Sequence, residues 1–479
     1  MSIGIHRFGR VAAVLVALVA LAAPVAAQVT TGGLSGQVVA QSDRSALPGV
    51  AIEAIHVPTG TRYAAVTNES GRFTIVNARV GGPYSVKAAL SGFRELEAAN
   101  VYVSLGDVTN LAFEMTLDTV EEIIEVVGSS DDLISADRTG SSSSVSLDVI
   151  ESLPTVRRQL QDYARLNPYF TIDPSDQSGT RLSVAGKNNR YNTIQIDGAV
   201  NNDLFGLADT GTPGGQADTQ PINLDSIQEL QLVVSPYDVR QGGFTGGGIN
   251  AITRSGANQF SGSIYGSMRD EDYVGDGPLD RPIAEFSEDQ YGARLGGPIL
   301  RDKLFFFVSG EMNRREAPTG VAADGSAGTQ FNQPVQAAAF RQLLINRYGY
   351  DPGSLSDFPA TQDSDLAFLR FDWNAAPNHS LTLRHNYVDG LRDVVGDRSS
   401  TRYRFETAIY AFDSETNSTV AQLNSIFGAN MFNEARVSFQ TIRDARAKMG
   451  TEIKAAITPE QAAKYDELYP QRMRRQGGQ

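Results

Sequence analysis

The chain has 479 residues, 46 of them glycine, a formal net charge of −14 and no cysteine. That length accommodates several domains, the acidic balance argues against a nucleic-acid partner, which needs clustered Lys and Arg, and the missing thiols exclude disulfides and thiolate metal sites. Abundant glycine and few lysines suit a mainly β protein better than a helical bundle.

The N-terminus carries His6, Arg7 and Arg10 before an apolar run from Val11 to Ala23, and Pro24 with Val25, Ala26 and Ala27 supplies a small-residue cleavage site before Gln28. Residues 1–27 read as a secretory signal peptide. The alternative, an uncleaved anchor, needs a longer run of about 20 apolar residues. No second long apolar segment follows, so further membrane residence requires a β-barrel.

Residues 28–117 read as a small β-sandwich. Short alternating segments ("LSGQVVA", "VAIEAIHV", "RYAAVTN", "GRFTIV", "YSVKAAL", "VTNLAFEMTL") are separated by turn signals at Leu47-Pro48-Gly49, Asn68–Gly71 and Gly81-Gly82-Pro83. "SGQVVAQSDRSALPGVAIEA", "TNESGRFTI" and "YSVKAALSGF" together resemble the carboxypeptidase regulatory-like domain. A peptidase is not implied, because the four histidines, His6, His56, His379 and His385, lack a glutamate at metal-ligand spacing. His56 is expected on a strand surface.

Residues 118–135 begin with "DTVEEIIEVVGSS", in which β-branched residues alternate with acids, and run into "GSSDDLISADRTGSSSS", a polar tether expected to be flexible over Ser129–Ser144. A tethered extended segment can add a strand to a partner's sheet edge, and Glu122, Ile123, Ile124, Glu125, Val126 and Val127 are the residues expected to do so. The same segment could instead be one more strand of the sandwich.

Residues 136–256 mix helix and strand. "LDVIESLPTVRRQLQDYARLNP" predicts a helix interrupted at Pro154, with Val156, Leu160, Tyr163 and Leu166 forming a core stripe. "NNRYNTIQIDGAVNND" predicts a strand with Ile194 and Ile196 on one face, ending at an Asp197-Gly198 turn. The cluster Asp197, Asn201, Asn202 and Asp203 lacks the alternate-ligand spacing and closing glutamate of a calcium loop, so it reads as turn chemistry. A strand, a glycine-rich crossing and a second strand complete the segment. The crossing, from Gly242 to Gly248, is expected to pass close to other backbone.

Here a second resemblance becomes specific. "EEIIEVVG", "SVAGKNNRYNTIQIDG" and "SIQELQLVVSPYDVRQGGFTGGGINAITRSGANQFSGSIYG" look like the TonB box and plug of TonB-dependent outer-membrane receptors, most closely the Oar-like group, which carries a regulatory-like sandwich before the plug. The similarity runs in order from Leu34 through about Ile442, and Glu125 and Gly128 depart from the commoner Val-Val-Thr ending of the box. The plug motif residues are Gly186, Asn192, Asp197, Gly198, Gly242, Gly243, Gly247 and Gly248.

Residues 257–479 offer seven alternating segments, at 258–269, 289–297, 303–312, 364–374, 379–389, 417–428 and 433–443, joined alternately by short links and by long polar ones with a helix in "PVQAAAFRQLLINRYG". In "HSLTLRHNYV", Leu381, Leu383 and Tyr387 oppose Thr382, Arg384 and Asn386, as expected for lipid and a watery lumen. His385 falls on the apolar face. The phenylalanines of "KLFFFVSGEM" are expected in an aromatic girdle.

The predicted fold class is therefore mainly β: an N-terminal β-sandwich, an α+β plug, and the first part of a transmembrane antiparallel barrel. Seven strands enclose too little space for a plug, which calls for about 22, so the chain is expected to continue beyond Gln479. The resemblance implies a receptor in the bacterial outer membrane with its sandwich in the periplasm. It would bind an unknown external ligand, contact outer-membrane lipid, and import the ligand with energy relayed by a TonB-type protein. The alternative is a surface adhesin or scaffold. No catalytic triad, phosphate-cradling loop, metal cluster or cofactor motif is found, and no enzyme activity is expected.

Overall fold

The computed structural model describes residues 30–117, 141–155, 158–172, 180–203, 208, 210–235, 246–275, 285–325, 331–376, 378–396, 398–427 and 431–446. The expected signal peptide, the box-like segment Glu122–Val127, Gly242 and Gly243 lie outside these residues.

Seven strands form the sandwich: β1 (Gly32–Ala40), β2 (Ala51–His56), β3 (Thr61–Val66), β4 (Arg72–Ala78), β5 (Gly81–Ala89), β6 (Leu96–Val103) and β7 (Val108–Met115). They pair as two sheets, in the orders β4-β1-β7 and β3-β2-β5-β6, with β1 antiparallel to β4 but parallel to β7. Alternation along each strand turns Leu34, Val38, Ile52, Phe73, Tyr84 and Phe113 into one shared core. Burying each such side chain contributes roughly 1.5–3 kcal/mol. His56 belongs to this inward set and is only 5% exposed, a correction to the expected surface position. It is in phase with Ile52 and Ala54, and its polarity is accommodated by a 2.7 Å contact between Nδ1 and the Thr59 hydroxyl and by the Tyr84 ring, 4.9 Å away.

The plug comprises β8 (Ser141–Ser146), α1 (Leu147–Ser152), α2 (Leu160–Ala164), β9 (Phe170–Ile172), β10 (Leu182–Val184), β11 (Thr193–Ile196), β12 (Ala199–Val200), β13 (Ile227–Ser235) and β14 (Gly248–Thr253). Its main sheet has the order β12-β11-β14-β13-β8, and β9 pairs with β10. Two expectations change. The serines Ser141–Ser144, read as tether, belong to β8, an edge strand held to β13 by its main chain, where small polar side chains need no core partner. The helical stripe also ends early: α2 stops at Ala164, so Leu160 and Tyr163 are buried while Leu166 is exposed.

The third body is one antiparallel sheet of β15 (Ser261–Asp270), β16 (Ser287–Leu300), β17 (Leu304–Pro318), β18 (Pro359–Ala376), β19 (His379–Val394), β20 (Tyr410–Phe427) and β21 (Met431–Arg446), paired in chain order. Helix α3 (Pro334–Tyr348) lies in the link between β17 and β18, opened by Pro334 and closed by Gly349 in the left-handed region. Strands of 18 residues, as in β18 and β20, exceed the 9–11 or so that cross a bilayer, so their loop-side ends project beyond the apolar band. The alternating segments at 364–374 and 417–428 stop short of these ends, because alternation loses its apolar half once a strand leaves the apolar band.

At Arg384 and Asn386 the inner face of this sheet is covered by the plug and not by solvent. Arg384 and Asn386 are each 2% exposed and packed against the plug, and Asn386 donates to the Pro221 carbonyl at 2.9 Å. Phe305 and Phe307 also point inward, and Phe307 joins Phe368 in the plug core, so the expected girdle holds for only part of that run. Outward lie Ile264, Leu295, Val308, Leu369, Leu383, Val437 and Phe439. His385 also falls on the outward face, meeting the Thr419 hydroxyl across the ladder at 2.9 Å.

The buried imidazole of His56 makes the sandwich acid-sensitive. Burial, with a smaller contribution from the charge of Arg79, pushes it down to about 3. A histidine whose folded value lies below its unfolded value of about 6.5 stabilises fully above that pH and loses its contribution as pH falls toward 3. Protection factors of the β2 and β5 amides should indicate a loss of about 2 kcal/mol between pH 7 and pH 5, and His56→Gln should flatten that dependence.

Candidate functional site

The plug motif residues build a small set of close approaches. Asn192 donates from Nδ2 to the Leu182 carbonyl at 2.6 Å and accepts from the Gly247 amide at 3.0 Å, joining β10 to the entrance of β14. A Cβ on Gly247 would sit 2.4 Å from Val184 Cγ1, so the end of the glycine-rich crossing is held to backbone-only width, as its composition implies. Gly248 begins β14 and pairs with Thr193 and Val233. Gly186 takes a positive φ in the tight turn between Val184 and Lys187. Gly256 marks the passage from plug to barrel: a Cβ there would lie 2.3 Å from the Phe306 carbonyl oxygen on the barrel wall.

Asp197 and Gly198 have φ values of 46° and 68° and join β11 to β12 in a two-residue hairpin of the type that an Asp-Gly pair favours. The turn sets the Asp197 carboxylate at the centre of the molecule. It accepts from the Thr253 amide at 2.8 Å and the Thr253 hydroxyl at 2.7 Å, and the barrel's Arg384 Nε lies 3.0 Å away. Arg370, one strand over, donates to the Thr253 carbonyl at 2.8 Å and grips Asp372 through two 2.8 Å bonds. Thr382 donates to the same Asp372 at 2.8 Å, and Arg79 of the sandwich reaches it at 2.8 Å. Sandwich, plug and barrel wall thus converge on two carboxylates. Asp197 was legible as a turn residue; its role as counter-charge was not, since Arg370 and Arg384 are far away in sequence.

Further polar pins surround this centre. Arg158 pairs with Asp225 at 2.8 Å and lies over the Tyr265 ring, whose hydroxyl bonds Glu311. Ser226 and Ser309 share a 2.6 Å hydroxyl bond, and Glu151 receives both Arg254 and Arg294, at 2.7 and 3.1 Å. The sandwich meets the plug through Glu229, which accepts from the Leu105 amide at 3.0 Å and from the Ser144 hydroxyl at 2.7 Å; burial raises its carboxyl above the usual range. At the loop end, Arg398 lies over the rings of Phe358 and Tyr403, clasping two long links together.

Parts of the chain match known protein families. The outer membrane beta barrel domain family matches residues 252–339, and the carboxypeptidase regulatory-like domain family matches residues 33–116. The TonB-dependent transporter Oar of Myxococcus xanthus is 25% identical over 289 residues, 57% of this chain and 26% of its own length. Over that stretch the chain is homologous to this TonB-dependent transporter. A protein of Acinetobacter baumannii named "Probable TonB-dependent siderophore receptor PirA" is 24% identical over 279 residues, 54% of this chain and 33% of that protein. The chain therefore spans about a quarter to a third of the length of these relatives. Among solved structures, the outer membrane transporter YddB of Escherichia coli superposes with a TM-score of 0.47 at 16% identity, covering 63% of this chain and 39% of YddB.

The Asp197 centre should behave as a coupled unit. Asp197→Asn leaves Arg384 buried beside a neutral amide, a change expected to cost about 3–5 kcal/mol. Adding Arg384→Gln removes the orphaned charge and should restore much of that loss. The thermal midpoint of the full-length protein in detergent, measured for both single variants and the double, checks the cycle; additive losses would show that the pair is not coupled.

Proposed function

We propose that the protein is a TonB-dependent receptor that binds an external ligand and imports it with energy relayed by a TonB-type partner. The observation that carries this reading is the character of the plug–barrel interface. Around the apolar contact of Phe307 and Phe368 it carries ion pairs and hydroxyl or amide bonds, which water can replace when the plug moves, whereas a wholly apolar interface would resist hydration.

In this reading residues 1–27 are a cleaved leader and 28–117 form a periplasmic sandwich. Residues 118–135 hold the partner strand Glu122–Val127, 136–256 are the plug, and 257–479 belong to the lipid-facing barrel. The partner strand leads along the chain into β8, the edge of the plug sheet, so tension on it is delivered to the β8–β13 ladder and to the Ser144–Glu229 bond. Main-chain pairing explains how a segment departing at Glu125 and Gly128 from the commoner pattern still binds, since its affinity comes from backbone bonds. The outward apolar face contacts membrane lipid, and the long links clasped by Arg398 receive the ligand. Transport of this kind involves no enzymatic step.

Deleting Glu121–Val127 from the full-length protein in its host tests the proposal. The strain should show the same growth defect as loss of the whole gene, with the receptor assembled in the outer membrane at normal abundance. Growth like the parent's would overturn the transport reading and favour an adhesin.

A further inference from the structure

A cavity of about 530 Å³ lies where the sandwich closes over plug and barrel wall. Among its lining residues are the members of the ionic centre, Arg79, Arg370 and Arg384 against Asp197 and Asp372. With Arg62, Lys303 and Asp302, which also line it, the cavity sets five cationic side chains against three carboxylates. Arg384 is 2% exposed, and one of its terminal nitrogens, Nη1, has no hydrogen-bond partner among the described residues. Its Nε lies 3.0 Å from Asp197 but out of hydrogen-bonding alignment, and its other terminal nitrogen is taken by the Ile196 carbonyl. A buried guanidinium retains its charge, and a donor left without an acceptor is costly, so the remaining positive charge favours an anionic acceptor.

We propose that this cavity is a binding site for a small oxyanion, a phosphate or carboxylate group held by Arg384, with Arg79 lining the same cavity. Guanidinium groups present N–H donors in a plane that matches two oxygens of such a group. Thr61 and Asn374, which bond each other at 3.1 Å across the sandwich–barrel junction, also line the cavity and add neutral polar groups to its wall. Because Arg79 comes from the sandwich and Arg384 from the barrel, a bound oxyanion would tie the two bodies together. The site is argued from the cavity and its charges alone and does not rest on transport.

Two substitutions distinguish an anion site from a merely structural pair, because both break the same Asp197–Arg384 contact while moving the cavity's charge in opposite directions. Binding of inorganic phosphate to the full-length protein in detergent, by equilibrium dialysis and by its effect on the thermal midpoint, should be saturable. Asp197→Asn should tighten it by about tenfold, with phosphate recovering part of the lost thermal stability, and Arg384→Gln should weaken it by about tenfold or more. Arg79→Gln, at the edge of the centre, should weaken it by a factor of about three and provides the test if either first variant does not fold. Absence of saturable phosphate binding to the parent protein would overturn the site, as would equal responses from Asp197→Asn and Arg384→Gln, or unchanged affinity in Arg79→Gln.

Discussion

The carboxylate of Asp197 must find positive charge inside a barrel, and the way it does so organises the chain. Thr253 presents it with an amide and a hydroxyl from β14, which fixes its direction. Arg384 then has a fixed counter-charge, and Arg370, bonded to the same threonine, carries the arrangement to Asp372 and from there to Arg79. Each link is a charged or hydroxyl group that would be costly to bury alone. The inner face of the barrel sheet can be polar only because the plug is present, and the plug can carry an acid at its centre only because the wall supplies arginines.

The hydrophobic cores are arranged differently. The sandwich core is self-contained, from Leu34 through Met115, whereas the plug core from Val145 to Ala251 recruits Phe307 and Phe368 from the barrel wall. The sandwich can therefore retain its packing when its polar contacts to Asp372 and Glu229 are exchanged for water. The plug loses part of its core if it leaves the wall. Val80 and Leu105 of the sandwich likewise meet Ile252 of the plug, so each junction sets a small apolar contact that resists hydration among polar ones that accept it.

The sequence revealed these features unevenly. Alternation in "HSLTLRHNYV" and over 433–443 located β19 and β21 because one face of the sheet is consistently apolar, and the Asp197-Gly198 pair announced its turn because few other pairs tolerate that backbone. Local chemistry suffices in such cases. It failed for Ser141–Ser144, whose strand is held by main-chain bonds that leave no side-chain signature, and for His56, whose inward position follows from phase while its polarity argues the opposite. It failed also for the lumen: Arg384 and Asn386 look solvent-facing along their own strand, and only residues 188 and 165 positions earlier, Ile196 and Pro221, show what covers them.

The parallel pairing of β1 and β7 has a geometric consequence. Antiparallel neighbours in a hairpin return the chain to where it entered; parallel neighbours deliver it to the opposite pole. The sandwich enters at Thr30, bonded to Gln422 of the barrel wall, and the same pole carries Leu105 and Pro58 against plug and barrel. Strand β7, with 8 residues, ends at Met115 on the other pole, some 25 Å along the strand at about 3.3 Å per residue. The chain therefore enters and leaves the sandwich at opposite ends, so a pull between those ends loads the β1–β7 ladder along its length, in shear, and not one bond at a time.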